Sequence, residues 1–128
     1  MPSWVMGSEK RSDGTRDVVI QFSHDDATGN LAGWIRCMGK TFIVSGSWVA
    51  AFSVPGRNHS IMALMGSDQQ AAPVFIAITG SIDGPGSAPT GIDMNMIHAS
   101  CHDDHQRGWG GRLKPFPKSE LPADVPAL

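Results

Sequence analysis

The chain contains no tyrosine and only two cysteines, Cys37 and Cys101, among its 128 residues. A small secreted domain that depended on disulfides would carry more cysteines, so the sequence favours a reducing compartment and predicts a cytoplasmic protein. The N-terminal residues MPSWVMGSEK also lack the basic region and apolar run of a signal peptide. The number and spacing of the cysteines leave open whether the two thiols pair.

Charge of either sign and long apolar runs are scarce as well. Charged residues make up 17% of the chain, and the formal net charge is −2. No basic stripe is present, which argues against nucleic acid as a partner. No apolar run approaches the roughly 20 residues that a membrane-spanning helix needs, so no membrane partner is expected.

Glycine and proline are abundant instead, with 15 Gly and 9 Pro. They separate short segments in which apolar and polar residues alternate, the pattern of half-buried strands. The sequence predicts an all-β antiparallel meander of seven or eight short strands with little or no helix. A small barrel is preferred over a sandwich, because sequential strands need no crossover connections and closure removes exposed edges. The predicted strands are 17–22, 31–37, 41–54, 60–65, 74–82, 92–98 and 109–113.

Two of these segments need separate arguments. The segment 41–54 is long and carries Gly46 near its middle, which indicates a bend or a bulge. The segment 60–65 also fits one turn of helix, but Gly66 and Pro73 bracket a span too short for a stable helix, so a strand is favoured.

The strand pattern divides the chain into three parts. Residues 1–16 are predicted to be a weakly ordered N-terminal segment, and residues 17–113 the barrel. Residues 114–128 hold four of the nine prolines, which predicts an extended tail. That tail is expected either to be disordered or to lie on a neighbouring subunit.

The stretch from His98 to Arg112 concentrates the groups that bind metals or move protons. The candidate metal ligands are His98, Cys101, His102 and His105. Zinc is the ion that this set would suit, because it accepts both imidazole and thiolate. The alternative is a polar loop with its histidines in solvent, since Asp and His tolerate turn geometry. The alternative is favoured, so no cofactor is expected.

An echo of this stretch lies upstream, where His24-Asp25-Asp26 also leads into a Gly-Trp pair. A two-loop site would form if the two loops met. Five predicted strands separate the loops, and in an up-and-down meander an odd number places them at opposite ends. A split of the segment 41–54 at Gly46 would make the number even and bring the loops together.

Five residues are candidates for a ligand-binding site: Trp34, Met94, Met96, His98 and Trp109. The two methionines and the histidine share one face of a predicted strand, and aromatic side chains commonly line pockets for apolar ligands. The alternative for the tryptophans and methionines is ordinary core packing. The alternative for His98 is a strand-end histidine that is hydrogen-bonded to the backbone.

These features predict a non-enzymatic β-barrel that binds a small or extended ligand or assembles into a homo-oligomer. The first alternative is a metal-binding protein or metal-dependent enzyme that uses the histidine and cysteine cluster. The second alternative is a purely structural subunit.

Overall fold

The computed structural model of the chain is an eight-stranded antiparallel barrel. The structure describes residues 3–54, 57–86, 88–100 and 106–128, and within these it leaves the side chains of 50–54, 57, 58 and 106 undescribed. One turn of 3-10 helix follows the barrel at Lys118–Glu120. The strands are β1 (Ser3–Gly7), β2 (Val18–Asp25), β3 (Asn30–Cys37), β4 (Lys40–Val54), β5 (Arg57–Ser67), β6 (Val74–Asp83), β7 (Gly91–Ser100) and β8 (Gln106–Pro115).

Each strand pairs with the next along the chain, and β1 closes the sheet against β8. The closing pairs are Met6 with Pro115 and Gly7 with Lys114. This order confirms the predicted all-β meander and the preference for a barrel over a sandwich. It also confirms the strand over 60–65, which forms the middle of β5.

Strand β4 decides how many strands lie between the two His-Asp-Asp sequences. The strand runs through Gly46 without a break, and its register shifts further on, between Ala50 and Phe52. Five strands therefore separate the turn at 26–29 from the connection that leaves β7 at Ser100. The turn at 26–29 and the C-terminal end of β7 therefore lie at opposite ends of the barrel, as the predicted strand count requires.

We call the two ends of the barrel the mouth end and the hairpin end. The mouth end carries the turn at 26–29 and the loop at 84–90. The hairpin end carries the turn at 38–39, the loop at 68–73 and the C-terminal end of β7. Candidate sites at the two ends are therefore separate from each other.

The prediction that residues 1–16 stand outside the barrel is wrong, because Ser3–Gly7 forms strand β1. The side chains of Trp4 and Met6 face inward and are buried, so the strand adds to the core. A strand of five residues that ends in glycine gives little periodic signal in a sequence. The remaining residues up to 17 form the loop between β1 and β2.

The proline-rich tail lies on the outside of its own barrel. Its first two residues, Lys114 and Pro115, complete β8. The Phe116 N–H donates to the carbonyl oxygen of Val5 at 3.3 Å, and the Arg16 guanidinium lies 4.4 Å from the centre of the Phe116 ring. In the structure, the tail therefore contacts its own barrel.

The barrel interior is filled by alternate side chains of all eight strands. An eight-stranded barrel encloses a space just wide enough for side chains to fill. The buried apolar cluster is drawn from every strand, so it forms one continuous core. It includes Met6, Phe22, Leu31, Ile35, Phe42, Val44, Leu64, Ile78, Ile92 and Leu113.

Candidate functional site

Four of the five predicted ligand-binding residues face the barrel interior. Met94, Met96 and His98 are buried on β7. Trp109 on β8 pairs with Met96 and packs against the core, where it is partly buried. The barrel thus brings these four residues together on its inner side.

Trp34, the fifth residue, lies on the outer side of the sheet. Its neighbours on β3, Leu31, Ile35 and Cys37, belong to the interior cluster, so the alternation of the strand turns Trp34 outward. Trp34 is nevertheless fully buried, and its indole N–H donates to Gln21 Oε1 at 3.3 Å. It is therefore separated by the sheet from the other four.

His98 is held in the core by two neighbours. Its Nε2 lies 3.4 Å from Cys37 Sγ, and its ring centre lies 4.9 Å from that of Phe42. Burial, assisted by the positive charges of Arg107 and Lys40, lowers the pKa of His98 below its usual value. A neutral imidazole beside a thiol is the expected state of this contact at neutral pH.

The metal cluster predicted from sequence involves His98 and three further residues. Cys101, His102 and His105 lie outside the residues that the structure describes. In the described ranges, no three His, Cys, Asp or Glu side chains are grouped so that they could hold a metal ion. Likewise, no helix in the described part of the chain is long and apolar enough to cross a membrane.

Cys37 is a buried free thiol, and its environment predicts alkaline instability. Its Sγ lies 3.6 Å from Met96 Sδ, and burial raises the pKa of the thiol to about 12. An unfolded thiol ionises near about 8.5, so above that pH the unfolded chain binds fewer protons than the folded chain. Stability should fall as the pH rises from there, by at most about 1.4 kcal/mol per pH unit for one proton.

Urea denaturation of the wild type and of Cys37→Ala across this pH range measures the effect. The other titrating groups are common to both proteins, so the slope of the wild type should be the steeper one. Equal slopes would show that the Cys37 thiol ionises as readily in the folded chain as in the unfolded one.

A different group of residues forms a polar site inside the mouth end. His24 lies at the end of β2 and faces inward, with only 2% of its side chain exposed. Trp4 of β1 stacks on it, with ring centres 5.5 Å apart and planes inclined by 27°. Trp48 of β4 packs against the same end of the core. We call Trp4, His24 and Trp48 the mouth cluster.

Two nitrogen atoms of the mouth cluster are buried without a partner. They are His24 Nε2 and Trp48 Nε1, and neither has a hydrogen-bond partner among the described residues. A buried polar atom left without a partner costs about 1–3 kcal/mol. Native proteins satisfy almost all such atoms with protein, water or ligand. A water molecule or a ligand that reached these two nitrogens would satisfy them.

Asp26 assigns the roles of the two nitrogens. Its Oδ1 lies 2.8 Å from His24 Nδ1, and an ionised carboxylate only accepts hydrogen bonds. The proton of a neutral His24 ring consequently sits on Nδ1, which leaves Nε2 as an acceptor. The Trp48 indole nitrogen carries a hydrogen and only donates. The mouth cluster thus offers one donor and one acceptor.

The loop at 84–90 covers the mouth cluster. The Trp4 indole N–H donates to the carbonyl oxygen of Gly86 at 2.8 Å. Gly86 also lies flat against Trp48, because a Cβ built on this glycine would be 2.7 Å from the indole ring. On the other side, the backbone N–H of Trp48 donates to the carbonyl oxygen of Gly29 at 2.8 Å.

The sequence contains a signal for His24 but not for the cluster. The alternation of Ile20, Phe22 and His24 along one strand places the histidine on the apolar, inward face. Trp4 and Gly86, in contrast, are 82 positions apart in the chain. Only barrel closure through β1 and β8 brings them together, and a single sequence carries no local trace of that contact.

No family model, curated protein sequence or solved structure matches this chain. The chemistry of the mouth cluster is therefore argued from the geometry of its own residues.

Proposed function

We propose that this small β-barrel is a binding protein that takes a small molecule at its mouth end. The observation that carries the proposal is the pair of buried nitrogens, His24 Nε2 and Trp48 Nε1, which lack partners among the described residues. They belong to side chains that are joined by contacts through Trp4 and Gly86. A ligand that reaches both atoms relieves two desolvation costs at once.

The donor and the acceptor define the chemical class of the ligand. Trp48 N–H requires an acceptor and His24 Nε2 requires a donor, so the ligand carries both groups. An amide, a lactam or a nitrogen heterocycle has this arrangement in a flat unit. Trp4 is buried and Trp48 is partly buried, so a flat unit that reaches the two nitrogens is enclosed by aromatic side chains, which are a usual component of a small-molecule site.

Binding without chemical conversion is the activity that this cluster supports. His24 is oriented by Asp26 as a general base would be, but its Nε2 has no hydroxyl or thiol partner among the described side chains. A ligand N–H on Nε2 is therefore held rather than activated.

A panel of small amides, lactams and nitrogen heterocycles tests the proposal by thermal shift and tryptophan fluorescence. Wild-type protein should bind at least one of these compounds. Trp48→Phe removes the donor and His24→Phe removes the acceptor, while both keep an aromatic ring in the core. Each should weaken binding by about tenfold or more, since one buried hydrogen bond is worth about 1.4 kcal/mol.

Trp109→Phe is the matched control, because Trp109 also packs on the core but on a different strand and outside the mouth cluster. It should leave the affinity unchanged. If Trp109→Phe loses binding and Trp48→Phe retains it, the ligand binds instead at the residues predicted from the sequence that surround Trp109. The proposal is wrong if no compound in the panel binds and a crystal structure shows ordered waters on both nitrogens. The mouth cluster is then a hydrated end of the core.

A further inference from the structure

The outer side of strands β4 to β7 forms a largely apolar sheet face. Its exposed apolar side chains include Met65 at 71%, Ile97 at 56%, Phe75 at 50% and Ile43 at 39% exposure. Among the described residues, the charged side chains on this outer side are Asp83 and Asp93 at its mouth end, and both pair with Arg112. We call this the β4–β7 face, and its members are Ile43, Ser45, Ser47, Val49, Ile61, Ala63, Met65, Ser67, Phe75, Ala77, Thr79, Ser81, Asn95, Ile97 and Ala99.

The strand register makes the apolar members of this face neighbours. One row across the sheet runs from Ser45 through Met65 and Ala77 to Ile97. Large side chains thus stand next to small ones, which gives the face an alternation of projections and hollows. Such relief is what two packed sheets need in order to interdigitate.

The face covers four of the eight strands of the closed barrel, so it is curved. Two copies can therefore contact each other along its middle, where Met65 of β5 and Ala77 of β6 are neighbours. Met65 and Phe75 of this face, together with Leu128 of the tail, line a groove of about 880 Å³.

A second copy of the chain is the partner that this face fits. Away from the ion pairs of Arg112, the described part of the face carries no charge, so it can be placed against itself without like-charge repulsion, as a twofold contact requires. It offers no charge that would select an acidic or basic partner. At its border, Arg112 is already paired with Asp93 at 3.1 Å and with Asp83 at 2.9 Å. These ion pairs lie at the rim, where a protein interface normally becomes polar.

We propose that two copies of this chain form a twofold-symmetric dimer through their β4–β7 faces. Met65 lies in the middle of the face and near the axis, where it packs against the hollow at Ala77 of the other copy. Burial of the four large side chains of each copy drives the association. The proposal does not depend on ligand binding at the mouth end, because the two surfaces share no residue.

Sedimentation equilibrium of the full chain between about 1 and 100 µM tests the dimer. The wild type should be dimeric, and Met65→Glu should be monomeric over this range, with an affinity reduced at least 100-fold. Met38→Glu is the matched control, because Met38 is an exposed methionine, at 45%, in the turn before β4 and off the face. It should remain dimeric. Circular dichroism and the melting temperature verify that each variant is folded.

A mixing experiment distinguishes a twofold contact from nonspecific hydrophobic association. Met65→Glu and Met65→Lys should each be monomeric alone and should form a heterodimer when mixed, because opposite charges then meet near the axis. A wild type that is monomeric at 100 µM would overturn the proposal, whether or not it pellets with phosphatidylcholine vesicles. So would a folded Met65→Glu protein with the same dimer affinity as Met38→Glu.

Discussion

Gly46→Ala is expected to destabilise the barrel by at least about 4 kcal/mol, which is most of the stability of a domain of this size. A Cβ built on Gly46 would meet the carbonyl oxygen of Ala63 and would lie 2.7 Å from the Cα of Leu64. Both atoms belong to the backbone of β5, the strand that pairs with β4 at this point. Backbone atoms of a paired strand cannot move aside as a flexible side chain can.

The cost arises from how tightly the sheet is coiled at this point. Gly33 on β3 and Gly66 on β5 meet the backbone of their partner strands in the same way. Glycine in a strand often marks such a close approach of another backbone. An added methyl group at Gly46 therefore forces β4 and β5 apart and breaks the ladder that closes the barrel.

Urea denaturation followed by circular dichroism measures this loss, with Gly108→Ala as the matched control. The nearest atom to a Cβ built on Gly108 is the carbonyl oxygen of Met96 at 3.5 Å, which is an ordinary contact. The control should change the free energy of unfolding by less than about 1 kcal/mol. If Gly46→Ala unfolds at the same urea concentration as Gly108→Ala, the approach of β4 to β5 is looser than described.

The sequence predicted Gly46 as a special position but not its role. A glycine in the middle of a long strand indicates a bulge, a bend or a close approach, and these cannot be told apart by pattern. The structure has the close approach at Gly46 and the register shift four residues later, between Ala50 and Phe52. The decision depends on the partner strand, which a single strand pattern does not contain.

The alternation of residues predicted the strands well, but in β5 it does not show which face is inside. In this strand, Met62 and Leu64 are buried while Ile61 and Met65 are exposed. Both faces of the strand are apolar in the sequence, so period-two alternation cannot decide between them. The sequence for this reason did not predict the β4–β7 face.

The candidate site shows a second limit of the sequence. Met94, Met96 and His98 share one strand, and their common inward face followed from spacing alone. The mouth cluster instead takes one residue from each of three strands and a covering glycine from a loop between two others. Its essential observation, two buried nitrogens without partners, depends on burial and hydrogen bonding, which only the folded chain has.

Asp68 is expected to make the stability of the barrel fall in acid, whereas Cys37 is expected to make it fall in alkali. Burial alone would raise the pKa of Asp68, but hydrogen bonds from the backbone N–H groups of Val74 and Gln70, with Lys40 nearby, hold it below its usual value. The stability that this carboxylate contributes is complete above its unfolded pKa, near about 3.9, and is lost as the pH falls through the lower folded value. The barrel is therefore expected to be most stable between these two limits.

Deletion of residues 116–128 is expected to cost about 2–4 kcal/mol and to expose Trp34. Trp34 faces outward on β3 and yet is fully buried, and Val19 on the outer side of β2 is 6% exposed. Arg36, two positions after Trp34, pairs with Asp124 at 3.0 Å, and Leu128 lines the same groove as Trp34. The tail therefore covers this part of the outer sheet.

The magnitude follows from the apolar side chains that the tail covers. Complete burial of one large apolar side chain contributes about 1.5–3 kcal/mol, and the tail covers at least Trp34 and Val19. Part of this gain offsets the conformational entropy that the tail loses when it is ordered. The prolines of the tail make that loss smaller, because they already restrict the unfolded chain. The exposed ion pairs of the tail add little, since surface pairs are worth about 0–1 kcal/mol.

A double variant, Glu120→Gln with Asp124→Asn, separates the two contributions. It removes the charges that pair with Lys10 and Arg36 but keeps the apolar cover, so its urea midpoint should stay close to that of the wild type. The truncated chain should unfold at a clearly lower urea concentration, and its tryptophan emission should shift to longer wavelength. That shift should disappear when the truncation is repeated in Trp34→Phe. An unshifted spectrum with an unchanged midpoint would mean that the barrel buries Trp34 without the tail.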